Sequence, residues 1–183
     1  ELFTAFKAGI PGERIIFHGN HKSDKELSEA ILYGVDRIVV DSLDEIKRLQ
    51  ALCNQFQMEA RLLLRVVPGI EAHTHDYIKT GQRDSKFGIP AEGVMEAVSA
   101  IVHHGQLRLC GMHAHIGSQI FACEPLARCA DVLLDLADMI EKETGIWIED
   151  LNVGGGRGVH YSDHDDPPTV DALVAAIMVR IQN

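Results

Sequence analysis

Two histidines spaced by one residue, His113 and His115, close an apolar stretch that begins at Leu107. Side chains alternate faces along an extended chain, so both imidazoles are expected on one face. Gly117-Ser118-Gln119 follows directly. Three chemistries are open for the pair. It can ligate a divalent metal, with Asp41 and His18 as further strand-end ligands. One ring can stack on a planar cofactor while Ser118 hydrogen-bonds the cofactor's phosphate. Or both rings are ordinary polar residues at a strand end. Gly154-Gly155-Gly156 is the second feature. It is either a flexible turn or a cradle, because glycines let backbone N–H groups approach an anion without Cβ obstruction. Arg65 is the third, late in an apolar run. A buried arginine usually has an anionic partner, so it is either half of a structural ion pair or a contact to an anionic cofactor group or substrate carboxylate.

Other polar clusters carry less. Glu71-Ala72-His73-Thr74-His75-Asp76 lies in the long connection between Val67 and Pro90, which Asp84-Ser85-Lys86-Phe87-Gly88 closes. No strand fixes its two rings on one face, so an active-site loop is expected rather than a ligand pair. His18-Gly19-Asn20-His21-Lys22-Ser23 sits at a strand end. Lys22 can form a Schiff base if buried, but its place just before a capped helix predicts a solvated side chain. His103, His104, His160 and His164 read as helix-end and loop residues with no assigned role.

The elements that must position these groups repeat one grammar. Arg14-Ile15-Ile16-Phe17-His18 reads as a strand, Ser23-Asp24-Lys25-Glu26 as a capping box, and Gly34 as a helix stop. Arg37-Ile38-Val39-Val40-Asp41 is the next strand, and Ser42-Leu43-Asp44-Glu45 a second capping box. Further strands are predicted over 61–67, 107–115 and 149–153, and helices over 91–104, 125–142 and 170–181. Five strands alternating with helices imply parallel βα units, and the unbroken runs Ile38–Val40 and Leu62–Leu64 suit a sheet buried on both faces. An open doubly wound sheet would carry a glycine-rich loop after its first strand. Here the glycines follow the last strand, as in barrels. A (β/α)8 barrel takes about 250 residues, so the 183 present correspond to a partial TIM barrel of about five strands out of eight.

Composition narrows the rest. Hydrophobic residues make up 46% and charged residues 24%, ordinary for a globular chain, and aromatics at 5% leave an aliphatic core. No run approaches the ~18–20 apolar residues of a membrane span. The 17 Lys+Arg against 27 Asp+Glu give a net charge of −10, which argues against nucleic acid and anionic membrane surfaces as partners. Cys53, Cys110, Cys123 and Cys129 form no C-x-x-C pair, and a reducing cytoplasm is expected. No signal peptide is evident at Glu1, and Leu2, Phe3, Phe6 and Ile10 already show helical spacing, so the chain is expected to be an internal fragment. Such a partial barrel would expose two sheet edges and be poorly stable alone.

These residues, in this order, resemble the diaminopimelate decarboxylase family, pyridoxal-phosphate enzymes on the alanine-racemase-like barrel. The matching stretches are His18-Gly19-Asn20 with Lys22-Ser23, Arg37 to Ser42, Gly69 to His75, Asp84 to Gly88, Gly111 and His113 through Phe121, and Val153 to Gly156. They span nearly the whole chain. The resemblance implies pyridoxal 5′-phosphate as cofactor, with His115 stacked on its ring and Ser118 and Gly156 on its phosphate. Gly154 and Gly155 would shape that loop, Arg65 would lie near the cofactor's base, and His113 would be a neighbour. It implies decarboxylation of meso-2,6-diaminopimelate to L-lysine, a small amino-acid substrate, no metal, and a homodimeric parent. The family's Schiff-base lysine would precede Glu1, and its Glu-Pro-Gly-Arg loop, catalytic cysteine and C-terminal β-domain would follow Asn183. The chain alone is then expected to be inactive, with neither Lys7 nor Lys22 as the missing amine. His21 stands where the family usually has Asn, and Arg157 where it usually has an apolar residue. The alternatives are an ornithine- or arginine-type decarboxylase of the same fold, a zinc-dependent barrel hydrolase using His113 and His115, and a non-catalytic cofactor carrier of the same barrel family.

Overall fold

A computed structural model describes residues 1–70 and 87–182. The loop stretches 71–76 and 84–86 singled out above lie outside the described residues. Helix α1 (Leu2–Lys7) precedes strand β1 (Ile16–Phe17). Then follow α2 (Asp24–Tyr33), β2 (Arg37–Val40), α3 (Leu43–Phe56), β3 (Ala60–Val67), the two-residue β4 (Ile89–Pro90), α4 (Val94–Val102), β5 (Leu107–His113), α5 (Glu124–Thr144), β6 (Asp150–Asn152) and α6 (Val170–Gln182). The strands pair in parallel in the order β1-β2-β3-β5-β6, and β4 adds to the end of β3. The five predicted strands and their helices are all present. β4 is new, and the start of the predicted 91–104 helix is a 3-10 turn over Ala91–Gly93.

Local chemistry explains the helix ends. Ser23 Oγ accepts from the Glu26 amide while the Glu26 carboxylate accepts from the Ser23 amide at 2.8 Å, a complete capping box. Gly34 ends α2 at φ 68°, where a left-handed residue closes the last turn. The second box forms only by half. Ser42 caps α3, but the Glu45 carboxylate accepts from the Asp41 amide and turns inward to Lys22.

The sheet curls. In a flat sheet β2 and β6 would stand about 14 Å apart, three strand spacings. Yet Arg37 Nη2 on β2 reaches Asp150 Oδ2 on β6 at 2.7 Å. Gly111 permits this closure. A Cβ there would lie 2.2 Å from the Asp150 carbonyl oxygen and 2.8 Å from Leu63 Cδ2. The helices cover the convex face, where Ile38, Val40, Leu62, Leu64 and Met112 pack against Leu27, Leu49, Val98, Ile101 and Leu133, all buried. Val39 and Leu63, on the alternate face, are buried as well. Cys53, Cys110 and Cys129 are buried and all four thiols are free; burial pushes Cys53 up to about 11 and Cys129 to about 12. Among the described residues no helix is long and apolar enough to cross a membrane.

Candidate functional site

Parallel strands bring their C-terminal ends to one rim, and register decides which side chains meet there. Arg65 pairs with His113 across β3 and β5, and His113 with Asn152 across β5 and β6. Three polar residues therefore stand side by side, one step beyond the row of Leu63, Gly111 and Asp150 on the same face. His18, just beyond β1, completes the row from the other side. Its ring lies 4.9 Å from that of His113 at 82°, edge to face.

Sequence spacing placed His113 and His115 together, but they occupy different depths. The strand ends at His113, which is buried, while His115 is exposed on the following loop. Burial, then the neighbouring His18, pushes His113 down to about 4, against the Asn152 side chain, which acts to raise it. Its Nδ1 is buried without a hydrogen-bond partner among the described residues. Partial desolvation, followed by the Arg65 charge, also lowers His18 and His115, whose rings keep a solvent-exposed side. Each imidazole of the rim is thus biased toward its neutral form beside one guanidinium.

Arg65 is half-buried, as expected, and among the described residues its hydrogen-bond partner is a side-chain amide. Nη1 donates to Asn20 Oδ1, and the guanidinium carbon sits 5.6 Å above the Phe87 ring. Burial lowers its pKa, and the Asp41 carboxylate opposes that shift.

The loops after β5 and β6 form one unit. The Ala114 amide donates to the Asn152 carbonyl at 2.9 Å, the Ile120 amide to the Gly156 carbonyl at 2.9 Å, and the Gly158 amide to the Ile120 carbonyl at 2.8 Å. The Gln119 side chain, on a backbone at φ 56°, clasps Val159 through both its N–H and its carbonyl. Glycine is required at two places. At Gly154 (φ 76°) a Cβ would sit 2.4 Å from the Ala114 carbonyl oxygen and 3.1 Å from His115 Nδ1. At Gly156 (φ 105°) it would sit 1.9 Å from the Gly117 carbonyl oxygen. Gly155 faces open space. Among the described residues the Gly155 and Gly156 amides donate to no protein acceptor. Ser118 is exposed on the adjoining loop. The structure therefore gathers His115, Ser118, Gly154, Gly155 and Gly156 on one double loop, with Arg65 and His113 on the strands behind it. Arg157 turns away, donating to the Pro168 carbonyl at 2.9 Å.

The largest departure from sequence reasoning is Lys22. It is 3% exposed rather than solvated, and its Nζ pairs with Glu45 Oε1 at 2.7 Å. No local signal announces this, because Glu45 stands at a capping position that by itself accounts for an acid. The Asn152 side chain, which accepts from the Gly154 amide at 2.9 Å, was also missed. Among the described residues, no three His, Cys, Asp or Glu side chains converge as a metal site.

A curved parallel sheet with a glycine double loop and histidines on its C-terminal rim defines an α/β half-barrel of the pyridoxal-phosphate-binding type. The chain belongs to the pyridoxal-dependent decarboxylases: the model of their pyridoxal binding domain matches residues 1–183. It is 42% identical over 184 residues to the diaminopimelate decarboxylase of Bacillus subtilis (strain 168), covering 100% of this chain and 42% of that protein. It is 40% identical over 183 residues to the Mycobacterium tuberculosis (strain H37Rv) diaminopimelate decarboxylase, covering 97% of this chain and 41% of the relative. The diaminopimelate decarboxylase of Helicobacter pylori, solved in complex with L-lysine, superposes with a TM-score of 0.91 at 30% identity, over 100% of this chain and 46% of that one. The chain thus spans about two-fifths of the length of the curated relatives it matches. Family membership sets aside the hydrolase reading of the two histidines.

Proposed function

We propose that this chain is the central part of the cofactor-binding barrel of an enzyme that decarboxylates meso-2,6-diaminopimelate to L-lysine. The observation that carries the reading is the double loop, shaped by the sterically required Gly154 and Gly156, where the Gly155 and Gly156 amides find no acceptor among the described residues beside an exposed serine and an exposed imidazole. That donor set fits a flat, phosphorylated heteroaromatic ring. Backbone N–H groups and a hydroxyl suit phosphate oxygens, and a neutral imidazole suits a ring face. Pyridoxal 5′-phosphate, when bound, supplies the electron sink for loss of carbon dioxide.

The chain's own residues bind and orient. Gly155, Gly156 and Ser118 hold the phosphate, and Gly154 lets the loop approach His115. Partial desolvation and the Arg65 charge both disfavour a proton on His115. It therefore offers a ring face rather than a second cation. Arg65, anchored by Asn20, supplies a fixed positive charge near the cofactor's base. His113 keeps an unprotonated nitrogen at the floor. The substrate is a small amino acid, and the names of the relatives support diaminopimelate. On this reading the intact protein also has a barrel start and a C-terminal β-domain. The intact protein acts in the cytoplasm as a homodimer, with no nucleic-acid or membrane partner.

The test is release of carbon dioxide from meso-diaminopimelate by the intact protein. His115→Ala and Ser118→Ala should each weaken cofactor affinity. Release from L-ornithine or L-arginine alone would refute the substrate assignment. In the 183-residue chain, borohydride should attach the cofactor to no lysine. Attachment to Lys22 would overturn the assignment of that residue.

A further inference from the structure

Lys22 lies outside the double loop, yet it is among the most completely enclosed charged groups in the described residues. A buried ammonium is unfavourable unless every proton finds a partner, and an apolar side chain would fill the same space without that demand. Here the ammonium joins three separate elements. Nζ donates to the Gly19 carbonyl at 2.7 Å and the Val39 carbonyl at 2.8 Å, and it pairs with Glu45 at the start of α3 at 2.7 Å. Arg48 Nη1 adds a bond to the Lys22 carbonyl at 2.8 Å. The β1–α2 loop is thereby tied down from beneath.

That loop carries the two residues that touch the rim. His18 packs edge-on against His113, and Asn20 accepts from Arg65. We propose that Lys22 is a positioning residue: through the Gly19 carbonyl it fixes the 18–22 loop, so that His18 and Asn20 set the orientations of His113 and Arg65. The inference rests on the cofactor site proposed above. Glu45 has a different part. It neutralises the ammonium and accepts from the Asp41 amide, whereas the bonds to the Gly19 and Val39 carbonyls come from the Lys22 ammonium. The two members of one ion pair therefore have separable effects.

The experiment compares Lys22→Met with Glu45→Gln in the intact protein. Lys22→Met removes every bond from Nζ with a side chain of similar length. Glu45→Gln keeps both carbonyl tethers. The readouts are affinity for pyridoxal 5′-phosphate by fluorescence titration, and the nuclear Overhauser contact between the His18 and His113 rings in ligand-free protein. Lys22→Met should lose about tenfold in affinity, together with the ring contact. Glu45→Gln should melt earlier but keep both. Retention of either readout in Lys22→Met overturns the inference, and so does an equal loss in Glu45→Gln, the mark of a stability effect. If Lys22→Met fails to fold, Asn20→Ala decides: weaker cofactor binding supports the tether, and unchanged binding refutes it. If the wild-type protein takes up no cofactor, the proposed function fails instead, and the ring contact alone decides on Lys22.

Discussion

The glycine triplet allows a sharp contrast, because its members face different surroundings. In Gly156→Ala the new methyl would sit 1.9 Å from the Gly117 carbonyl oxygen, on a backbone at φ 105°. A non-glycine residue held in such a conformation costs on the order of 1–3 kcal/mol. The clash cannot relax locally, because the Gly156 carbonyl accepts from the Ile120 amide and the Ile120 carbonyl from the Gly158 amide. Parting the loops sacrifices bonds worth about 1 kcal/mol each. A total near 4 kcal/mol follows, a large share of the roughly 5–15 kcal/mol that holds a domain together. In Gly155→Ala the methyl meets nothing within 4 Å, so the change should stay within about 0.5 kcal/mol. Urea unfolding followed by circular dichroism measures both, and the melting temperature of Gly156→Ala should fall by roughly 8–16 °C. Equal midpoints for the two variants would refute the steric reasoning. The ligand arm runs the other way. Gly155→Ala should weaken cofactor binding at unchanged stability, because its open side is the one available to a phosphate.

Three further outcomes are expected. His113 is held near 4 against a usual 6.5, so its contribution is fully present above 6.5. It is lost as pH falls toward 4, because the unfolded chain takes up a proton that the folded one refuses. His18 and His115 act in the same direction, whereas Glu45, pushed up by burial, opposes them. Comparison with His113→Asn isolates the term. Between about pH 7.5 and 5 the wild type should lose about 1–2 kcal/mol more than the variant in urea unfolding. Arg37→Met leaves Asp150 without an ion-pair partner among the described residues, while Asp36 keeps Arg61, and should cost about 1–3 kcal/mol in the same assay. Adding Asp150→Asn should recover part of that loss. Ser23→Ala removes half the α2 capping box and should cost about 1 kcal/mol, read from the denaturant midpoint.

Much of this architecture was legible because its signals are local. Ser23 with Glu26, Gly34 after Tyr33, and the runs Ile38–Val40 and Leu62–Leu64 each declare an element within a few residues, and the structure has those elements. β4 escaped because two residues carry no periodicity. Its pairing of Ile89 with Val66 is known only once β3 is in place. The glycines of the β6 loop were legible as a feature. Their inequality was not, because Gly154 and Gly156 are set apart from Gly155 by a positive φ and by the Ala114 and Gly117 carbonyls, which lie on another segment.

Lys22 shows the same limit for charge. Sequence places it before a helix start, where lysines are solvated, and places Glu45 where a capping acid belongs. Both inferences follow from neighbours along the chain, and both fail for one reason. Strand β2 pairs with β1 in a register that sets Ile16 against Arg37, and this brings the Val39 carbonyl and the α3 N-terminus over the β1–α2 loop. The ammonium then closes onto Gly19, Val39 and Glu45 together. Burial of a charge is a property of register. For the same reason the row Arg65, His113, Asn152 exists only because three strands, separated by dozens of residues, pair in one register. A single-residue slip of β5 would exchange its two faces and turn His113 toward the helices. The bulge between Leu62 and Leu63, which realigns β3 against Gly111, is therefore as necessary to the site as the histidine itself.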